Sequence, residues 1–281
     1  MKRRLPAFFA IVFALLLTLG CASLEEKQRA WIFQPSDRAW GGSAAMADGM
    51  DDVWIEFTSK VTREPVRLHA LWLEAEKPAR DTPVLLYLHG ARWNVAGSAG
   101  RMRRMQDLGF AVLAIDYRGF GKSTPGLPSE EMAYEDARMA WEWLARNKPD
   151  QPRYIFGHSL GGAIAIDLAA NVPDEQGTIV EGTFTSIPDV ASTFKWGWLP
   201  IGPFITQRFA AVEKVERIGS PLLVVHGAND SLIRSNLGQK LFDAAKGKKQ
   251  FVLVDGGSHY STMSVGRAQY REAIQQLFSL R

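Results

Sequence analysis

The strongest constraint on the fold of this chain is the regular alternation of short apolar runs with longer amphipathic ones from about residue 53 onward. Runs 53–59 and 66–75 alternate with a period of two, which predicts two strands, expected to form an antiparallel pair. Continuous apolar runs bounded by turn residues predict six strands buried on both faces: 84–89, 110–116, 153–158, 177–184, 221–227 and 251–257. The stretches between them predict five helices: 98–108, 130–147, 160–171, 235–245 and 265–279.

Strands that alternate with helices along the chain predict an α/β fold. We expect a mostly parallel central sheet of about eight strands, with helices on both faces and right-handed crossovers. With 281 residues, 46% of them hydrophobic, the chain can bury one sizeable core, so a single domain is expected over residues 51–281. In such sheets ligands bind beyond the carboxyl ends of the strands. Residues that directly follow a strand are therefore the first candidates for chemistry.

The segment 185–219 interrupts the alternation. It contains three prolines and two tryptophans, shows weak periodicity and separates two predicted core strands. Its position favours a small lid or pocket wall above the carboxyl edge of the sheet, and a packed surface excursion is the alternative. As a lid it presents five side chains to an apolar substrate: Phe194, Trp196, Trp198, Leu199 and Phe204.

The first 20 residues have the features of a secretory signal. Three cations at positions 2–4 precede the apolar stretch LPAFFAIVFALLLTLG, and no acidic residue interrupts the segment. Cys21 follows directly, an arrangement that resembles the lipobox of bacterial lipoproteins, whose cysteine carries the lipid. Thr18 and Leu19 depart from that pattern, which usually has Leu and a small residue at these positions. We predict a lipoprotein-type signal peptide over residues 1–20; an ordinary cleaved signal and an uncleaved anchor are the alternatives.

A lipid on Cys21 predicts a protein tethered to a membrane of the cell envelope and facing outside the cytoplasm. Ala22, rather than Asp, after the cysteine favours by resemblance the outer membrane if the cell is Gram-negative. Residues 21–50 mix charges, glycines and scattered tryptophans, and are expected to form a weakly structured tether. Because Cys21 is the single cysteine, no intrachain disulfide can form.

The net charge of +3 does not indicate a nucleic-acid partner. Removing the three cations of the signal segment from the 33 basic residues leaves 30, which equals the number of acidic residues. The rest of the chain therefore lacks the basic surplus that is typical of nucleic-acid binding.

The stretch GHSLGG places Ser159 after a predicted strand and before an alanine-rich helix. This is the strand–turn–helix context that a Gly-x-Ser-x-Gly nucleophile requires. Gly157 and Gly161 allow backbone segments to approach closely at a strained turn. The N–H of Leu160, at the start of the helix, is a candidate donor to an oxyanion. The motif is common by chance, so partners elsewhere in the chain decide whether Ser159 is a nucleophile.

A serine nucleophile needs a base, and the chain has five histidines. His259 lies in the loop DGGSHYST after the last predicted strand, so it follows every plausible acid, as the order serine, acid, histidine requires. His158 adjoins the serine, but neighbouring residues of a strand point to opposite faces. His69 lies inside a strand and is expected to be structural. His89 and His226 both precede the acid favoured below.

Asp230 is the preferred acid, because it directly follows a predicted buried strand in the polar turn GANDS. Its alternative role is that of an Asx-turn residue. Glu181, at the end of the preceding strand, and Asp255, four residues before His259, are rival acids.

The loop after the strand 84–89 is the expected source of a second oxyanion donor. The backbone N–H of Ala91, next to the His-Gly pair, is the candidate, with Arg92 as the alternative. The Arg92 side chain is expected to pair with a structural carboxylate rather than with a substrate anion. Trp93, beside it, is a further candidate to line the substrate pocket.

Six blocks in this order, YLHGARWN, DYRGFGKS, GHSLGG, TFTSIPDV, HGANDSLI and GGSHY, resemble the α/β-hydrolase superfamily over about residues 53–280. They are most similar to its membrane-anchored, Bem-type branch of serine esterases and lipases. The resemblance implies the α/β-hydrolase fold and five site residues: Ser159 as nucleophile, His259 as base, Asp230 as acid, and Leu160 and Ala91 as oxyanion donors.

Two departures from the family pattern bear on substrate preference. The family loop after the acid usually reaches a proline, whereas here Arg234 follows Ile233. The loop after the first His-Gly pair often carries small residues and Asn, whereas here it carries Arg92 and Trp93.

Neither a cofactor nor a metal is expected. DYRGFGKS ends like a phosphate-binding loop, but Asp116 stands where that motif requires glycine. The sequence contains no His-x-x-x-His pair, and its lone cysteine belongs to the leader.

These residues together predict a serine hydrolase that cleaves carboxylic esters through an acyl-enzyme, with a small ester of an apolar acyl group as substrate. A peptidase or amidase is the alternative, since the same triad serves both reactions. A non-catalytic envelope lipoprotein that uses the fold for binding is less favoured, because all three members of a triad are present. The sequence does not indicate an oligomeric state.

Overall fold

A computed structural model describes residues 23–38, 43–195 and 197–280. Within these residues, eight strands form one sheet: β1 (Asp51–Thr58), β2 (Pro65–Leu73), β3 (Val84–Leu88), β4 (Ala111–Ile115), β5 (Arg153–His158), β6 (Gly177–Glu181), β7 (Leu222–Gly227) and β8 (Lys249–Val254). Their order across the sheet is β1–β2–β4–β3–β5–β6–β7–β8. β2 is antiparallel to β1 and β4, and the other neighbours are parallel. The predicted mostly parallel sheet, with its antiparallel first pair, is confirmed.

The helices of the described residues are α1 (23–33), α2 (Ser43–Met46), α3 (Ala99–Gln106), α4 (Glu130–Asn147), α5 (Leu160–Ala169), α6 (Ile187–Ser192), α7 (Ser235–Ala244), α8 (Thr262–Val265) and α9 (Arg267–Phe278). The five helices that periodicity predicts correspond to α3, α4, α5, α7 and α9. α4 shows why the prediction succeeds: the hydroxyl of Ser129 accepts the N–H of Met132, and Glu130 and Glu131 occupy the positive end of the helix.

The sheet separates two hydrophobic cores. Alternate residues of β3 enter opposite cores: Leu86 and Leu88 pack with side chains of α4, α5 and α7, whereas Leu85 and Tyr87 pack with α3 and α9. Both sides of β3 are buried, which explains its uninterrupted apolar sequence. Candidate catalytic side chains are therefore expected in the loops at the strand ends, where the cores leave room for them.

The segment 185–219 contains α6 and three short 3₁₀ turns, at Gly202–Phe204, Ala211–Glu213 and Val215–Arg217. α6 begins after Ser186, whose hydroxyl accepts the N–H of Asp189 at 3.1 Å. Beyond α6, four of the five predicted lid residues are exposed: Phe194, Trp198, Leu199 and Phe204. The fifth, Trp196, lies outside the described residues, and the lid role of the segment stays a prediction.

α1 lies in the segment expected to be a weakly structured tether, and the structure differs from that expectation. Phe33, at its end, is fully buried and packs edge-on against Phe120 and Phe209, with ring centroids 6.5 and 5.7 Å apart. Arg29 Nε donates to the carbonyl oxygen of Pro128 at 2.9 Å. These contacts hold α1 on the domain, because the ring of Phe33 is buried by residues from outside α1.

Residues 1–22 lie outside the described residues, so the signal peptide and the lipid on Cys21 stay predictions. In the part of the chain that the structure describes, no helix combines the length and the apolar character needed to cross a membrane.

Replacement of Phe33 by Ala tests whether α1 belongs to the folded domain. We expect a loss of about 3–5 kcal/mol in the free energy of unfolding, because a fully buried ring leaves a cavity. Urea unfolding monitored by circular dichroism measures this loss. Leu24→Ala, at a side chain 44% exposed on the same helix, is the control and should stay within about 0.5 kcal/mol of wild type. Equal effects of the two changes would show that α1 is not held by its packing.

Candidate active site

Ser159 occupies a strained turn between β5 and α5. Its backbone angles are φ 56° and ψ −121°, a conformation that costs a non-glycine residue about 1–3 kcal/mol. Its N–H donates to the carbonyl oxygen of Glu181 at 2.9 Å. Its carbonyl oxygen accepts the N–H of Gly162 and the hydroxyl of Thr183, each at 2.9 Å. These three hydrogen bonds hold the turn in place.

Two glycines are required by the close packing of this turn. A Cβ on Gly157 would lie 2.2 Å from the carbonyl oxygen of Gly161, and a Cβ on Gly161 would lie 2.1 Å from that of Leu88. Backbone atoms cannot yield to such contacts, so any larger residue would force the turn open. The turn therefore has the geometry that the Gly-x-Ser-x-Gly motif predicts.

His259 and Asp230 form a buried hydrogen-bonded pair. His259 Nδ1 lies 2.8 Å from Asp230 Oδ2, and the two side chains are 5% and 0% exposed. Asp230 Oδ1 accepts the N–H groups of Leu232 and Ile233, which fixes the carboxylate plane. An ionised carboxylate only accepts, so His259 Nδ1 donates this hydrogen bond, which leaves Nε2 as the ring nitrogen available to act on a proton.

Gly182 connects this pair to Ser159. A Cβ on Gly182 would lie 3.4 Å from both Asp230 Oδ2 and His259 Nδ1, so the backbone here adjoins the pair. The preceding residue, Glu181, accepts the N–H of Ser159. The end of β6 therefore brings the turn and the histidine–aspartate pair together.

The pKa of Asp230 is well below its usual value. Burial alone raises this pKa, but the hydrogen bonds from His226 and His259 outweigh the effect of burial and lower it. Asp230 therefore remains a carboxylate, as a partner of a protonated Nδ1 must.

The two rival acids have other surroundings. Glu181 is fully buried, and its carboxylate accepts hydrogen bonds from Arg101 and from the hydroxyl of Tyr270. Asp255 is exposed in the loop after β8. Of the three acids considered from the sequence, Asp230 is the one whose carboxylate is hydrogen-bonded to His259.

Arg101 of α3 reaches the back of the histidine loop, a contact that the sequence does not predict. Its Nη2 lies 3.0 Å from Glu181 Oε1 and donates to the carbonyl oxygens of His259 and Tyr260, at 3.4 and 3.3 Å. His158 Nε2 also lies 3.0 Å from the His259 carbonyl oxygen. The main chain of the candidate base is thus fixed from behind by buried polar groups.

His158 belongs to this cluster, through its Nε2 contact with the His259 carbonyl oxygen. Burial, with Arg101 and His259 nearby, lowers the pKa of His158 well below its usual value. Its ring lies 4.9 Å from that of His259, between ring centroids. The neutral ring packs against the histidine loop and stabilises it.

The loop after β3 approaches the turn closely. A Cβ on Gly90 would lie 3.0 Å from the Cβ of Ser159. The N–H of Arg92 donates to the carbonyl oxygen of Phe33 at 2.9 Å, so it is already used. Among the described residues, the N–H groups of Ala91 and Leu160 make no hydrogen bond to a carbonyl oxygen of the main chain. This favours Ala91 over Arg92 as a donor to substrate.

The Arg92 side chain donates to Gln34 Oε1 at 2.9 Å, an amide rather than the expected carboxylate. Trp93 borders a small cavity of about 160 Å³ together with Gly90 and His158. Its role in a substrate pocket stays a prediction.

The remaining histidines contact structural groups. His69 Nδ1 lies 3.2 Å from Asp116 Oδ2, and its Nε2 lies 2.5 Å from Asp52 Oδ1. His89 Nδ1 contacts the carbonyl oxygen of Gly90. His226 Nε2 donates to the carbonyl oxygen of Ile233 at 2.9 Å and so shapes the turn that carries Asp230. In the described ranges, no group of three or more His, Cys, Asp or Glu side chains is arranged to hold a metal ion.

Acid sensitivity tests the environment of Asp230. Its folded-state pKa lies below the value of about 3.9 for an unfolded chain, so its ionised form stabilises the fold above that pH. This stabilisation is lost as the pH falls below about 4. We expect the free energy of unfolding to decrease less steeply between pH 4 and pH 2 in Asp230→Asn than in wild type. The exposed Asp255→Asn should keep the wild-type slope; a wild-type slope in both variants would contradict the prediction.

Removal of Arg101 tests the buried cluster. Arg101→Met leaves the carboxylate of Glu181 buried without its cation, and we expect a loss of about 3–5 kcal/mol in unfolding free energy. The double variant Arg101→Met/Glu181→Gln should recover most of this loss, because no unpaired charge remains. Arg271→Met, at an exposed position of α9, is the control. A loss no larger than that of the control would contradict a structural ion pair.

The sequence of this chain is similar to those of known proteins. Residues 79–209 match the family model described as serine aminopeptidase, S33. An uncharacterized protein of Mycobacterium tuberculosis is 30% identical over 235 residues, which is 83% of this chain and 80% of that protein. Lysophosphatidylserine lipase ABHD12 of Danio rerio is 34% identical over 70% of this chain, and the match spans 56% of the lipase.

Among solved structures, the esterase Pf2001 of Pyrococcus furiosus has the same fold. The TM-score is 0.67 at 18% identity, over 87% of this chain and 97% of the esterase. Taken with the sheet order and the relatives above, these matches show that the chain belongs to the α/β-hydrolase superfamily.

Proposed function

We propose that the protein is a serine hydrolase that cleaves carboxylic esters through an acyl-enzyme. Ser159 is the nucleophile, His259 the base and Asp230 the acid. The observation that carries the proposal is the 2.8 Å contact between His259 Nδ1 and Asp230 Oδ2. Gly182 lies next to this pair. The residue before it, Glu181, accepts the N–H of Ser159 in the strained turn. The hydrolase family and the ester-cleaving relatives support it.

In the proposed first step, Ser159 Oγ attacks the ester carbonyl carbon while His259 Nε2 takes the hydroxyl proton. Asp230 stabilises the imidazolium and keeps its orientation. The N–H groups of Leu160 and Ala91 donate to the oxygen that becomes negative. The C–O bond to the alcohol then breaks, and the alcohol leaves with the proton from His259.

Water completes the cycle. It loses a proton to His259 Nε2 as its oxygen attacks the acyl carbon, and the same N–H groups stabilise the second oxyanion. The bond to Ser159 Oγ breaks, and the serine recovers its proton from His259. The product is a carboxylic acid.

The substrate class follows from the relatives and the apolar insertion. One relative is a lysophosphatidylserine lipase, and a solved structure of the same fold is an esterase, so an ester with an apolar acyl group is the proposed substrate. An amide or peptide bond is the second candidate, because the matching family model is described as a serine aminopeptidase. Closer membership of the Bem-type branch, the lipid on Cys21 and a location in the cell envelope are proposed on the sequence alone.

Substitution of the serine tests the mechanism. We expect Ser159→Ala to lower kcat for p-nitrophenyl esters at least about 10³-fold, because no other group forms the acyl-enzyme. A fluorophosphonate probe should label wild type and not this variant. Ser264→Ala, at an exposed serine, should keep both activity and labelling. Full ester hydrolysis by Ser159→Ala would exclude the proposed nucleophile.

The same preparations distinguish the two candidate reactions. p-Nitrophenyl esters should be cleaved with a higher kcat/KM than aminoacyl-p-nitroanilides of matched acyl group. The reverse order would favour the amide hydrolase.

A further inference from the structure

An apolar groove of about 480 Å³ lies between α1 and the insertion 185–219. α1 contributes Leu24, Trp31 and Ile32 to one wall, and the insertion contributes residues that include Ala191 and Phe204 to the other. Trp31 and Phe204 are 59% and 67% exposed, so the groove opens to the surface. Its volume is in the range of small-molecule sites.

One polar side chain, Gln28, lines the groove, and its amide is hydrogen-bonded to the insertion. Gln28 Nε2 donates to the carbonyl oxygen of Phe204 at 2.7 Å, and Oε1 accepts the N–H of Thr206 at 2.9 Å. Gln28 therefore ties the two walls together, and the other side chains that line the groove are apolar. A lining of this kind favours a hydrocarbon chain over a polar or charged ligand.

Each wall is joined along the chain to a residue that contacts the candidate active site. α1 ends at Phe33, whose carbonyl oxygen accepts the N–H of Arg92, the residue after the oxyanion donor Ala91. On the other wall, Ile187 lines the groove, and the hydroxyl of Thr183, four residues earlier, donates to the carbonyl oxygen of Ser159. Four residues span at most about 14 Å. The groove therefore lies near the elements that hold the serine and the oxyanion loop.

We infer that this groove binds the acyl chain of the substrate, and that α1 is one of its two walls. The inference rests on the proposed ester hydrolysis and narrows its substrates to esters of long acyl chains. The N-terminal helix, and not the insertion alone, then sets the preference for chain length. Each methylene that enters the groove should raise kcat/KM by up to about fourfold, the factor that corresponds to burial of one CH₂.

A chain-length series on the full chain tests this. We expect kcat/KM of wild type for p-nitrophenyl esters, kept below their critical micelle concentrations, to rise from acetate towards dodecanoate. Trp31→Asp places a carboxylate at the exposed rim of α1, and Ala191→Trp fills the groove from α6. Each should lower kcat/KM for the long esters at least tenfold and leave that for acetate within twofold. Ala268→Trp, at an exposed position of α9, is the matched control and should follow wild type.

Binding of cis-parinaric acid, a fluorescent fatty acid, gives a readout that does not require turnover. The Ser159→Ala protein should bind it, and Ser159→Ala/Trp31→Asp should bind it at least tenfold more weakly. If the tenfold difference in cis-parinaric acid binding is found but wild type hydrolyses no ester, the groove binds acyl chains and the proposed reaction is refuted.

Three results would overturn the inference. The first is ester hydrolysis that does not depend on chain length, and the second is an equal effect of Trp31→Asp on all esters. The third is a Trp31→Asp protein with lower kcat/KM for long esters in phosphatidylcholine vesicles but with wild-type kcat/KM for the same esters free in solution. That result would show that the groove residues bind a bilayer and not the acyl chain.

Discussion

The hydrogen bond from the N–H of Ser159 to the carbonyl oxygen of Glu181 is the interaction on which the site depends. It extends the pairing of β5 with β6 by one residue, at the point where the chain turns into α5. A left-handed backbone at a serine is costly unless its surroundings hold it. Because the next residue, Gly182, adjoins the His259–Asp230 pair, this one bond also sets the spacing between the nucleophile turn and the proposed base and acid.

The side chain of Glu181 links this turn to the opposite core. Its carboxylate accepts from Arg101 of α3 and from Tyr270 of α9, and Arg101 continues to the carbonyl oxygen of His259. A buried ion pair contributes little net stability, since desolvation offsets most of the attraction. Its effect here is positional, because the guanidinium holds Glu181 at the end of β6 against the carbonyl oxygens of His259 and Tyr260 in the loop after β8.

The sequence predicts the sheet and the serine turn well, and contacts between distant segments poorly. β3 and β5 are uninterrupted apolar runs because both faces are buried, and Gly157 and Gly161 are dictated by local sterics. α1 has no such signal: charged residues at 25–27 and 29 break up its apolar positions, and Phe33 packs against rings from the distant positions 120 and 209. The contacts of Arg101 are not predicted by the sequence either, because an arginine on an amphipathic helix ordinarily faces solvent.

The carbonyl groups at the end of α1 and just after it show how much of the N-terminal segment the folded domain needs. Phe33, Asp37 and Arg38 accept hydrogen bonds from Arg92 and Asn94, while Ser36 accepts one from Gly121. A shortened protein that begins at residue 51 would lack these acceptors and the ring that covers Phe120 and Phe209. The loop after β3 would lose hydrogen-bond acceptors that hold it, and a cavity would open in the core beside it. The folded domain therefore includes the end of α1 and the segment up to residue 38, which a boundary drawn from strand patterns alone would remove from beside the candidate active site.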